Sequence, residues 1–352
     1  MRWFTRKPRT DATRVIPAFA VPIAHVVGPG RLVLDGERLV HEDPAGMRQA
    51  TVLLKGLEMV TCFGAVTVDP SCLLRLAEGG VAVAFLSADG GRFIARISPE
   101  GDPRVVGRVL QHRVLADPIL RMRIANGIVA EKIHSQAASA RHYQRQGKGV
   151  PGESLKRLAE LEARANDAGM IAELLGLEGV SSALWYEIFG KLLRKPWRFD
   201  RRSRRPPLDP VNAVLSLGYT LLYHRMIAAC QAFGLESGIG ALHAYRAGRQ
   251  SLACDLMEPL RAPLVDRWVV GLLNQGRVSP EDFYSEDDRG VRLTKRALPR
   301  VIADWEHNWH EARSDSVVTD RTRRFVHALR DLSEPLRRVT KELADAGIAQ
   351  LG

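Results

Sequence analysis

The chain has 352 residues, 45% of them hydrophobic, which is enough for two domains with cores of their own. Lys and Arg number 51 against 40 Asp and Glu, a net charge of +11; this favours an anionic partner, nucleic acid before membrane, because no basic run adjoins an apolar span. No segment approaches the length needed to cross a bilayer, and the N-terminal Met1-Arg2-Trp3-Phe4-Thr5-Arg6-Lys7-Pro8-Arg9 holds no apolar core of signal-peptide length, so a cytoplasmic protein with no membrane contact is the expectation.

From about residue 21 to residue 105, short β-branched runs alternate with turn signals. Val21–Val27, Arg31–Leu34, Ala50–Leu54, Ala65–Val68, Val81–Leu86 and Arg92–Ile97 are predicted strands. Gly28-Pro29-Gly30, Asp35-Gly36 and Asp89-Gly90-Gly91 punctuate them. Pro70–Ala77 is predicted as a short helix carrying Leu73, Leu74 and Leu76. Residues 1–105 therefore read as a small β-rich N-terminal domain in which nothing has catalytic spacing.

Beyond Val106 the periods become helical. Predicted helices are Val109–Ala140, Ser154–Asn166, Ala168–Leu193, Pro210–Phe233, Leu252–Asn274, Lys295–Arg313 and Val317–Ala346, the last interrupted near Pro335. Breaks fall at Gly147–Gly152, at the basic loop before Pro206-Pro207 and at Gly234–Gly240, and Ser279-Pro280-Glu281-Asp282 has the form of a helix N-terminus. Pro259 disfavours helical angles at Glu258, so a kink is expected there. Residues 106–352 read as a larger all-α domain, which makes the fold class α+β.

The basic residues are uneven. Arg194-Lys195-Pro196-Trp197-Arg198-Phe199-Asp200-Arg201-Arg202-Ser203-Arg204-Arg205 holds seven cations and one acid around two aromatic rings, a composition suited to phosphate contacts with some stacking on bases. A solvated loop has the same composition. Arg321–Arg324 and Arg337-Arg338 read as solvated helix faces. Cys62, Cys72, Cys230 and Cys254 have no zinc or redox spacing, and buried reduced thiols are expected.

The densest chemistry lies between Gly240 and Arg261, where His243, Asp255 and Glu258 fall within one otherwise apolar stretch. Asp255 and Glu258, three apart, share a helix face. Two carboxylates on a half-buried face repel unless a cation or a shared proton relieves them, and a divalent metal does so while also supporting phosphate chemistry. A surface acidic pair beside a solvated histidine fits the same spacing. Upstream, Glu178 sits between Gly176 and Gly179, whose missing side chains let a backbone or a substrate come close.

Taken together these stretches resemble the CRISPR-associated adaptation integrases, the "Cas one" endonucleases. The likeness runs over about residues 28–310 and rests on Gly176-Leu177-Glu178-Gly179 with Trp185-Tyr186, Pro210-Val211-Asn212 leading to Leu215-Ser216, Gly234-Leu235 with Gly240-Ala241-Leu242-His243, and Ser251 to Arg261. The N-terminal half is also similar around Gly64–Val68, Gly79–Leu86 and Gly91-Arg92-Phe93. Residues 1–27 match nothing in that pattern. Leu175 stands where many members carry Arg, and Glu258 where some branches carry Asp.

The resemblance implies a metal site of Glu178, His243 and Glu258, with Asp255 close by as a catalytic neighbour. Mostly hard oxygen donors with one imidazole suit Mg2+ or Mn2+ better than zinc. The implied activity is metal-dependent DNA cleavage and the insertion of captured DNA fragments into a CRISPR array, each fragment's 3′-hydroxyl attacking the repeat; a non-catalytic DNA-binding scaffold is the alternative. Implied partners are double-stranded and branched DNA, a second copy of the chain through the N-terminal domain, and a small second adaptation protein. Arg194, Lys195, Arg198, Arg201, Arg202, Arg204, Arg205, Arg249 and Arg261 are the candidate DNA contacts, although Arg261 fits a core salt bridge equally well.

Overall fold

The computed structural model describes residues 23–332 apart from 58, 89–92, 98–104, 247, 287–289 and 313. The chain divides into two compact units, Met1–Gly101 with Leu293–Asp304, and Asp102–Arg292 with Trp305–Gly352. A strand-rich part precedes a mainly helical one, so the architecture is α+β.

In the first unit two four-stranded sheets form from β1 (Ile23–Val27), β2 (Gly30–Asp35), β3 (Arg38–Glu42), β4 (Arg48–Leu53), β5 (Met59–Phe63), β6 (Val66–Val68), β7 (Ala82–Leu86) and β8 (Phe93–Ile97). Their orders are β1-β5-β7-β8 and β4-β3-β2-β6. The first sheet is parallel except for its β7–β8 edge. Helix α1 (Pro70–Glu78) is capped by Asp69, which accepts from the Ser71 amide, and it turns Cys72 and Leu76 into a core with Val26, Leu32, Val60 and Val83. The predicted strands and this helix are present, but β3 and β5 were not predicted. Each has five residues, and β5 is buried at every position, so it lacks the alternation that marks a half-exposed strand.

The second unit contains α2 (Val105–Ala116), α3 (Pro118–Arg145), α4 (Gly152–Asp167), α5 (Ile171–Leu192), α6 (Pro210–Ala232), α7 (Ser251–Leu260) and α8 (Arg267–Asn274). A two-stranded sheet of β9 (Phe283–Glu286) and β10 (Gly290–Leu293), which the helical periods do not announce, precedes α9 (Ala297–Glu311) and α10 (Ser314–Leu332). Ser279 begins a short 3-10 turn through a capping box with Asp282, as its spacing predicted.

The single helix expected over Val109–Ala140 is two. Asp117 precedes proline, takes extended angles, and caps α3 by accepting from the Ile119 and Leu120 amides. The helix expected over Leu252–Asn274 does run on through Pro259: α7 reaches Leu260, and a π-helical segment, Arg261–Asp266, leads into α8. Pro263, inside that segment, lacks the amide hydrogen and crowds the carbonyl four residues back, and the wider π turn absorbs that mismatch. Arg321, expected on a solvated face, is instead 9% exposed and paired with Glu131. Pro335, Arg337 and Arg338 lie outside the described residues. Among the described residues no helix is long and apolar enough to cross a membrane.

Candidate functional site

Helix α3 carries a buried stripe of Ile124, Ile128, Lys132, Gln136 and Ala140 toward α5 and α7. Lys132 stands in the middle of it with a side chain only 5% exposed. Its ammonium pairs with Glu178 Oε1 from α5 and lies 2.8 Å from Glu258 Oε2 of α7. Glu178 also accepts from Ser182, one turn further along α5, at 3.2 Å. Glu258 is buried, and its other oxygen meets the Arg261 guanidinium at 2.9 Å. Burial alone would raise the Glu258 carboxyl, but Arg261 and then Lys132 outweigh it and hold the group down at about 2. Burial likewise pushes against the charged ammonium of Lys132, yet Glu258 and Glu178 keep its pKa above the ordinary lysine value. Helix α5 runs unbroken through Gly176 and Gly179, and among the described residues nothing beyond the helix's own adjacent backbone lies within 4 Å of where their Cβ atoms would stand.

His243 sits on the coil between α6 and α7, and Asp255 fixes it there. The fully buried Asp255 carboxylate accepts from the backbone amides of Ala241 (2.7 Å), Leu242 (3.0 Å) and His243 (3.2 Å) and from the ring Nδ1 of His243 at 2.5 Å. A carboxylate that accepts from three amides offers only lone pairs to the ring, so the imidazole proton resides on Nδ1 and Nε2 presents its own lone pair. Gly240 is required by this approach: a Cβ there would stand 2.5 Å from Asp255 Oδ2. Gln111 of α2 and Arg121 of α3 bind the carbonyls of Glu236, Ile239 and Ala241, which completes the frame around His243.

A polar network lies about two turns beyond Glu258. Asp266 accepts from the Trp185 indole at 2.7 Å and from the Tyr219 hydroxyl, which in turn meets the Tyr186 hydroxyl at 2.8 Å. The guanidinium groups of Arg202 and Arg261 lie 5.3 and 4.9 Å from the centre of the Tyr219 ring. Burial pushes the Asp266 carboxyl up to about 6, against the hydrogen bonds and the two arginines. A raised carboxyl pKa favours the folded state while the group is protonated, so that contribution is present below about pH 4 and is lost as pH rises through about 6. From pH 4 to pH 7 the stability of Asp266→Asn, measured by urea unfolding, should improve relative to wild type by about 2 kcal/mol. A difference independent of pH would remove this assignment.

The basic loop is built differently from its sequence reading. Trp197 is buried, donates to the Leu273 carbonyl at 3.0 Å and packs edge-on to Phe283, while Phe199 packs against Phe189 and Tyr186. Both rings are committed to the protein's own core and not to bases. Arg202 is also internal: Asn212 Oδ1 accepts from it at 2.7 Å and Ser216 Oγ at 3.0 Å. The asparagine and serine that open α6 therefore clamp the loop. Arg194, Lys195, Arg198, Arg201, Arg204 and Arg205 remain exposed, and Arg249 is half-buried against Cys254. Arg261 is the core salt bridge to Glu258, and with Arg204 it also lines a pocket shared by Lys132, Ser182, Tyr186, Glu258 and Asp266.

The structure thus joins Glu178 to Glu258 through Lys132, and His243 to Asp255. Among the described residues no three His, Cys, Asp or Glu side chains form a ready metal cage, because an ammonium stands between the expected carboxylate ligands. The donors nevertheless fit a hard divalent cation. Two carboxylates already converge on one positive charge, and the Asp255-oriented imidazole matches the carboxylate–histidine pairs that support metal ligands. Lys132, Ser182, Tyr219 and Asp266 were missed from sequence. A lysine interrupting the apolar stripe of α3 is a signal that could have found the first, since a buried ammonium needs acids around it.

The family model described as CRISPR associated protein Cas1 matches residues 24–307. The chain is 34% identical over 291 residues to the CRISPR-associated endonuclease Cas1 2 of Rhodospirillum rubrum, covering 79% of this chain and 83% of that one. It is 36% identical over 259 residues to Cas1 3 of Thermus thermophilus, with 73% and 75% covered. Its fold is similar to a Cas1 protein from Thermotoga maritima (TM-score 0.76, 22% identity, 88% and 97% covered). The same holds for a casposase bound to integration product (0.77, 20%, 89% and 92%) and for a chain of a Cas6-RT-Cas1–Cas2 complex (0.77, 24%, 90% and 36%).

Proposed function

This chain belongs to the CRISPR-associated Cas1 family, and we propose from its site that it is a divalent-metal-dependent DNA endonuclease and integrase that inserts captured DNA into a CRISPR array. The observation that carries the proposal is the convergence of Glu178 from α5 and Glu258 from α7 on one cationic point, beside an imidazole whose Nε2 is left available by Asp255. Glu178, Glu258 and His243 would hold Mg2+ or Mn2+. When bound, the ion supplies polarisation of the scissile phosphodiester, neutralisation of transition-state charge and a lowered pKa for the attacking hydroxyl.

The chain's own groups do the rest. Asp255 keeps the His243 ring in one tautomer and orientation. Arg261 holds the Glu258 carboxylate in place, and Arg204 with the exposed cations of the 194–205 loop offers phosphate contacts. A water nucleophile gives cleavage and a DNA 3′-hydroxyl gives strand transfer at the same centre. The related casposase bound to integration product supports the second as the main reaction.

Double-stranded and branched DNA is the proposed substrate, and the Cas1–Cas2 assembly among the similar structures supports a small second adaptation protein as partner. Residues 1–105 are proposed as the dimerisation domain and residues 106–352 as the catalytic domain, acting in the cytoplasm. The test is strand transfer on branched DNA with Mn2+, with EDTA, and with Glu178→Ala. Activity lost in both treatments is expected. DNA binding without metal-dependent activity would favour the scaffold alternative, and activity unchanged by both would remove the proposal.

A further inference from the structure

Lys132 belongs to none of the motifs that carry the family likeness, yet it is the residue through which the two acidic ligands meet. Its ammonium is buried between Glu178 and Glu258, with Arg261 on the far oxygen of Glu258. Two anions and two cations thus balance locally, Asp255 being committed to the backbone amides and to His243. A divalent cation and the ammonium cannot share the same two carboxylates, because like charges a few ångströms apart in a buried site repel strongly. If the cation enters, Lys132 is left buried and in need of another anion. In the adjoining pocket Lys132, Arg204 and Arg261 outnumber the carboxylates of Glu258 and Asp266, and a phosphodiester oxygen entering there would meet the displaced ammonium.

We propose that Lys132 is a positioning residue that acts as the resident counter-cation of the site. Its ammonium exchanges with the divalent metal and passes to a DNA phosphate, so that metal and DNA load together. This deepens the metal reading above and rests on it. By reciprocity DNA must tighten metal binding as much as metal tightens DNA binding, and the arrangement keeps the centre weakly loaded until a substrate is seated.

The test measures Mn2+ affinity by the electron paramagnetic resonance of free Mn2+, on the full-length protein, with and without a branched DNA whose 3′ ends are dideoxy-terminated. Lys132→Met and Lys132→Gln should bind Mn2+ at least about tenfold more tightly than wild type in the absence of DNA. Wild type should gain at least about tenfold from DNA, and the variants distinctly less. Variants that bind Mn2+ no more tightly than wild type without DNA would overturn the inference. If a variant folds only when Mn2+ is present, judged by circular dichroism, that also supports exchange; a variant unfolded with and without millimolar Mn2+ counts against it. Introducing Glu178→Gln or Glu258→Gln separates the two readings: Mn2+ binding indifferent to both overturns the metal site itself, whereas binding that needs both but ignores Lys132 overturns only the exchange.

Discussion

Asp255→Ala should destabilise the protein by about 3–5 kcal/mol and abolish metal-dependent activity. The carboxylate is fully buried and satisfies three backbone amides and the His243 ring, so its removal strands the buried amides of Ala241 and Leu242 and releases the partly exposed His243. That is a large share of the roughly 5–15 kcal/mol by which a folded domain is stable. Asp255→Asn keeps the shape but can turn an amide donor toward donors, and it no longer fixes the imidazole proton on Nδ1. About a 10- to 100-fold loss of metal affinity is expected, with a smaller stability loss than for alanine. Urea unfolding and Mn2+ titration on both variants check this. A fully stable alanine variant with unchanged Mn2+ affinity would show that the loop does not need the carboxylate.

The second large effect separates the two glutamates. Glu258→Gln leaves Lys132 and Arg261 facing each other across a neutral amide in a buried place, so stability should fall by about 3–5 kcal/mol together with activity. Glu178→Gln touches a side chain 23% exposed, whose contacts with Lys132 and Ser182 an amide can partly replace. Stability should change by about 1 kcal/mol or less, while strand transfer falls at least about a thousandfold if a ligand to the ion is lost. Acid unfolding adds a sign check. Glu258 is held at about 2, against an ordinary value of 4.5, so its stabilising contribution is present above that ordinary value and disappears as pH falls toward 2. Glu258→Gln should lack that part of the acid transition. Equal stability losses for the two glutamine variants would contradict the burial difference on which the distinction rests.

Much of the site was legible because its motifs are local. Gly240 is forced by the approach of Asp255, Asn212 and Ser216 by the loop they clamp, and Trp185-Tyr186 by the bond to Asp266 and the contact with Tyr219. Each requirement left a residue type in a fixed place, so the order of motifs could be read. What could not be read is long-range. Lys132 lies 46 positions from Glu178 in sequence, and only the packing of α3 against α5 and α7 brings its ammonium to the acids. Trp197 and Phe199 look like base-stacking rings from composition, and only tertiary packing sends them inward. β5 escaped because complete burial erases alternation, whereas the helix through Pro259 was expected and only its π turn was not.

The most direct measurement is anomalous scattering from Mn2+ in crystals of the protein bound to a branched DNA with blocked 3′ ends. The account predicts one strong peak within about 2.0–2.4 Å of carboxylate oxygens of Glu178 and Glu258 and of His243 Nε2, with the Lys132 ammonium moved onto a phosphate. A peak elsewhere on the protein, or none while Lys132 still bridges the two glutamates, would contradict it.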